Sequence, residues 1–132
     1  EGTGRMVAPD ELERVLRDFN FTYGTQAAGF ITGTGVPIAI QANVEIEEEH
    51  FATMAATFVG SMDVLYRGVG LAPPDRITAE TADGMLTVLR LERNAFFLAL
   101  GGDGELKARA KEALDALDRV LDPLRPLDRY VL

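Results

Sequence analysis

Residues 51–62 carry no charge, and the apolar ones recur at helical spacing: Phe51, Met54, Ala55, Phe58 and Met62, continuing to Leu65. A helix on the surface of a lone domain keeps its outer face charged. Here the face opposite that stripe carries Ala52, Ala56 and Gly60 at i, i+4 and i+8, with Val59 and Thr53 beside them. Small side chains at this spacing let a second body come close, so the helix is expected to be covered on both sides. A chain of 132 residues builds one core and has little left for a second covering layer. The cover is therefore expected to come from another molecule, most simply a second copy.

Around this helix the chain divides readily. Pro9-Asp10-Glu11 opens a first helix, with proline at the first helical position and acids at the positive end of the dipole. Leu12, Val15, Leu16 and Phe19 give it one apolar face, and residues 20–24 break the pattern. Residues 26–32 and 36–42 are apolar runs around Thr32-Gly33-Thr34-Gly35, a hairpin signal. Pro37 cannot donate to a ladder, which places its strand at a sheet edge or at a strand start. The long helix spans about 47–66 and ends at Gly68, Gly70 and Pro73-Pro74. Three strands follow, 76–81, 85–92 and 95–100, separated by Ala82-Asp83-Gly84 and Arg93-Asn94. The last two are apolar on both faces, as in a sheet covered twice. A final helix runs on Leu106, Ala110, Ala113, Leu114, Leu117, Val120 and Leu121 until Pro123. The expected class is α+β: a five-stranded antiparallel sheet between helical layers, in the order α-β-β-α-β-β-β-α. Residues 1–8 read as an N-terminal extension, with Glu1 to Arg5 ahead of Met6 set aside. Residues 9–122 form a single domain and 123–132 a C-terminal tail.

Composition narrows the function. A formal charge of −8 disfavours nucleic acid and anionic membrane surfaces, because the basic residues are scattered. The absence of cysteine removes disulfides, thiolate metal sites and a cysteine nucleophile. No apolar run approaches the roughly 20 residues of a membrane span, and no secretory leader is visible, so the expected setting is cytoplasmic.

This order and texture resemble the Roadblock family, the dynein light-chain-type domains that include prokaryotic GTPase regulators, over roughly residues 10–121. The likeness is local at Gly29-Phe30-Ile31-Thr32 followed by Gly35-Val36-Pro37-Ile38-Ala39, and again at the third strand, Asp83-Gly84 and an apolar fourth strand. The first turn departs from the family, with Thr32 and Thr34 where an acidic residue is common. The resemblance implies a Roadblock/profilin-like sandwich that pairs through its third strand and middle helix. It also implies a non-enzymatic platform for a small GTPase, with no cofactor.

The chemistry-bearing residues offer no competing site. Glu45, Glu47, Glu48 and Glu49, beside His50, fall at the start of the long helix, where carboxylates favour the dipole and consecutive side chains diverge by about 100°. Ser61 and His50 are the only serine and histidine, and eleven residues of one helix hold them about 16 Å apart. Gly101-Gly102-Asp103-Gly104 precedes a helix as phosphate loops do. However, Lys107 is followed by Ala108, and Asp103 and Glu105 would repel phosphate, so it reads as a turn and cap. Asp115, Asp118 and Asp122, near Arg119 and Arg125, read as a solvated salt-linked face. Tyr130, Val131 and Leu132 end the tail on apolar side chains that could dock on a partner.

The expected contact positions are Ala52, Ala56, Val59, Gly60 and Asp63, with Ile77, Thr78, Ala79, Glu80 and Thr81 for strand pairing. Expected partners are a second copy, a small GTPase and, as a variant, another Roadblock-like protein. The alternatives are a small-molecule sensing module, since a sheet under helices can open pockets, and an assembly subunit paired with a sister domain.

Overall fold

A computed structural model describes residues 9–91, 94–102 and 104–121. The N-terminal extension, the turn residue Arg93, the capping position Asp103 and the tail with its apolar end lie outside the described residues. The elements are α1 (Pro9–Tyr23), β1 (Thr25–Thr32), β2 (Pro37–Ala42), α2 (Glu48–Gly68), β3 (Arg76–Glu80), β4 (Met85–Arg90), β5 (Ala95–Gly101) and α3 (Gly104–Leu121). Their order is the expected one. The strands form one antiparallel sheet in the order β2-β1-β5-β4-β3, so the two hairpins meet where β1 pairs with β5.

Strand alternation sends side chains to two separate cores. On one face, Phe30, Leu89, Phe97 and Ala99 pack under α1 and α3, which contribute Leu12, Leu16, Phe19, Leu114 and Leu117. Phe97 anchors this core, meeting Phe19 edge-on at 4.9 Å and Phe30 at 5.7 Å between ring centroids. On the other face, Ile31, Val88, Phe96 and Leu98 pack under α2 alone.

Two boundaries differ from the sequence expectation. Residues 20–23 continue α1 rather than breaking it, because Tyr23 falls on the buried face with Leu12, Leu16 and Phe19. The helix stops at Gly24, whose φ of +71° suits glycine and whose N–H donates to the Asn20 carbonyl at 2.9 Å. Asn20 itself is buried: it accepts from the Thr25 hydroxyl, and its Nδ2 donates to the Gln41 carbonyl of β2 at 3.0 Å. Thr81 is not part of β3. Its hydroxyl accepts from the Gly84 N–H at 2.9 Å and its own N–H donates to the Gly84 carbonyl at 2.9 Å, closing the β3–β4 turn.

β3 is held from behind by α3. Arg76 of β3 bonds Asp115 at 2.8 Å, and Lys111, one helical turn before Asp115, bonds the same carboxylate at 3.1 Å. Lys111 first, then Arg76, holds the Asp115 carboxyl below the usual carboxylate range. A depressed carboxyl contributes stability above its unfolded pKa and loses it as pH falls through the folded one. Asp115→Asn should therefore lose part of the wild-type decline in stability below about pH 4, measured by urea unfolding across pH. Within the sheet, Thr87 is wholly buried and its hydroxyl has no hydrogen-bond partner among the described residues. Thr87→Val keeps the shape and removes that group, so it should raise stability by about 1 kcal/mol, read as a higher melting temperature.

Candidate protein-docking surface

The long helix forms where the acidic run said it would. Glu47 caps it, its carboxylate accepting from the His50 N–H at 3.0 Å, with Glu48 and Glu49 in the first turn. Its rotation, however, differs from the sequence expectation. Ala55 is buried against the sheet as expected, but so are Ala52 and Val59 from the opposite face, and Ala56 is half-buried beside them. The other residues expected to face inward split: Phe51, Phe58 and Met62 are half-buried, while Met54 is 50% and Leu65 64% exposed. The cause lies beneath the helix, where Ile31, Val88, Phe96 and Leu98 already supply the bulk. Small residues are what fit above them. The β1–β2 turn comes equally close, since a Cβ at Gly35 would lie 3.3 Å from the Thr53 Cα, and Gly35 sits at φ +92°.

Ala52 and Val59 are thus corrected from partner contacts to internal packing residues. The uncharged outer face is instead made by Met54, Thr57, Ser61, Val64 and Leu65, continued past the helix end by Val69 and Leu71. Asp63 does not present a bare carboxylate: it bonds Arg90 of β4 at 2.5 Å, and the Arg90 Nε donates to the Pro74 carbonyl at 3.1 Å. Gly60 is exposed, and an added Cβ there would meet nothing within 4 Å.

α2 crosses the sheet near one end of the strands, from Gly35 at the β1–β2 turn to Arg90 on β4. Four residues along from Arg90 and Phe96, the opposite strand ends are less covered. Leu100 is 40% exposed, its cross-strand partner Leu86 is half-buried, and Ala79 opposite Leu86 is exposed. Ala79 belongs to β3, an edge strand on which Arg76, Thr78 and Glu80 are also exposed and Ile77 is half-buried. Among the described residues, no other strand pairs with its outer edge. The far edge, β2, begins with Pro37, which brings no backbone N–H. Both β2 and β3 are thus edge strands among the described residues, and proline stands only in β2. Ile77 of β3 packs against the same core cluster that α2 covers.

No group of three or more His, Asp or Glu side chains among the described residues could hold a metal ion. Ser61 and His50 both lie exposed on α2. No helix among the described residues is long and apolar enough to cross a membrane.

No protein-family model matches the chain, and no curated protein matches it. Solved structures do. Myxococcus xanthus MglB superposes with a TM-score of 0.73 at 16% identity, covering 94% of this chain and 97% of its own. An MglB described as having a tetrameric arrangement gives 0.68 at 18% identity, covering 89% and 92%. A Roadblock/LC7 domain from Streptomyces avermitilis gives 0.66 at 14% identity, covering 84% and 94%. With its helix, hairpin, long helix, meander and closing helix laid out in this order, the chain has the Roadblock fold shared by MglB and the Roadblock/LC7 domains.

Proposed function

We propose that this chain is a non-enzymatic, cytoplasmic scaffold that pairs with a second copy of itself and holds a small GTPase. The observation that carries the reading is the outer side of α2. Met54, Val64 and Leu65 are at least half exposed, on a molecule that also has an unpaired β3 edge and the part-covered Leu86 and Leu100. Apolar side chains grouped around an unpaired strand are the chemistry of an interface. Two copies related by a twofold axis would set β3 against β3 and bring the second α2 over the strand ends that the first leaves open. Such an interface buries about 1,200–2,000 Å² in total. The pairing positions on this reading are Ile77, Thr78, Ala79, Glu80 and the turn residue Thr81, with Met54 and Leu65 on the helix. Self-association is in keeping with an MglB described in a tetrameric arrangement.

The GTPase reading draws on the family resemblance and the shared fold. The pair would hold the switch regions of a nucleotide-loaded GTPase against the paired α2 helices and adjoining strands. Tighter binding of one nucleotide state shifts the GTPase population and requires no chemistry from this chain. A sister Roadblock-like domain would use the same surface, so it is the variant reading of the same observation.

Two outcomes are expected. The wild-type protein should scatter light as a dimer at micromolar concentration. Leu65→Arg, at a position 64% exposed, should scatter as a folded monomer with unchanged circular dichroism. A monomeric wild type would remove the pairing reading. Immobilised protein should recover a small GTPase from native lysate preferentially with either GDP or a non-hydrolysable GTP analogue. Equal recovery in both would remove the switch-sensing role.

A further inference from the structure

The flank of α2 opposite Met54 and Leu65 borders a small polar notch of about 90 Å³, closed by Gly33, Gly60, Asp63, Arg90, Asn94 and Phe96. Gly33 and Asn94 belong to the two turns at this end of the sheet, which the Gly33 N–H ties together through the Asn94 carbonyl at 2.7 Å. Three polar groups in its wall have unused capacity among the described residues. Arg90 donates through Nε to Pro74 and through Nη2 to Asp63, which leaves Nη1 unengaged. Asp63 accepts through Oδ1 and keeps Oδ2. The Asn94 residue is exposed, and its carboxamide has no hydrogen bond to another described residue.

Gly60 supplies the opening. Glycine in mid-helix is the poorest helix former after proline, and no contact within the chain calls for it, since a Cβ there would stand in open space. A side chain larger than hydrogen would instead overhang the notch. We propose that this notch is a docking site for a neutral carboxamide side chain, asparagine or glutamine, presented by a bound protein. The Arg90–Asp63 pair has no net charge, so a carboxylate would face Asp63 and a cation would face Arg90. A carboxamide offers an acceptor to one and donors to the other. The space equals roughly three waters at about 30 Å³ each, which suits a group of that size. The inference rests on α2 being a partner-facing helix. It uses the flank that pairing through Met54 and Leu65 would leave uncovered.

The probe is acetamide, added to the ¹⁵N-labelled full chain, with acetate and methylguanidinium as parallel arms. Acetamide should shift the amide signals of Gly33 and Gly60 and the side-chain signal of Asn94 saturably, and the charged probes should shift them several-fold less. Gly60→Leu should abolish the shifts while circular dichroism and light-scattering mass stay those of the parent. Asn94→Ala, a surface change, should weaken saturation several-fold and serves if the leucine variant fails to fold. Absence of local shifts, equal shifts with acetate, or shifts surviving in a folded Gly60→Leu would each overturn the proposal. The titration needs neither a second copy nor a GTPase, so its failure is separate from a failure of the dimer or GTPase reading.

Discussion

A sheet that is apolar on both faces must be covered twice, and the described residues hold three helices with which to do it. Two of them, α1 and α3, share the face where Phe30, Phe97 and Leu89 lie. Among the described residues, the other face receives α2 alone, laid across Ile31, Val88, Phe96 and Leu98 near one end of the strands. One helix about 10–12 Å wide cannot roof five strands spaced about 4.8 Å apart along their full length. The half-buried Leu86, the exposed Leu100 and the uncharged outer side of α2 all follow from that shortage of cover.

The same imbalance sorts the polar interactions. Those that fix the fold sit at seams between elements: Asn20 joins α1 to β2, Arg90 joins β4 to α2 and the Pro74 carbonyl, and Asp115 joins α3 to β3. Each links parts that hydrophobic packing alone would let slide. The acidic residues at the start of α2 are absorbed by the helix itself, through the Glu47 cap and the dipole. What remains without an internal partner is the outer side of α2, with Met54, Val64 and Leu65 exposed along it.

Much of this was legible in the residues. Element order and both hairpins followed from spacing, glycine pairs and Pro37, because those signals are local. The rotation of α2 was not legible. With no charge from 51 to 62, helical periodicity has nothing to mark the outside. Large residues were assigned to the core by default, whereas the bulk already present on Ile31, Phe96 and Leu98 reserved room inside for Ala52 and Val59 beside the expected Ala55. The continuation of α1 was missed for a related reason: Asn20 looks like a breaker until Gln41 and Thr25 are placed beside it to satisfy its amide. The Asp63–Arg90 pair joins residues 27 apart in sequence, and only the tertiary arrangement brings them together.

The proline at the start of β2 has a consequence for growth. A sheet with two receptive rims can recruit neighbours on both sides and lengthen without limit, the route to fibres. Here Pro37 withholds one donor from the β2 rim, which makes that rim the poorer template for a further strand. On the proposed pairing, two molecules joined through β3 would leave only the proline-bearing rims outward, which disfavours further growth.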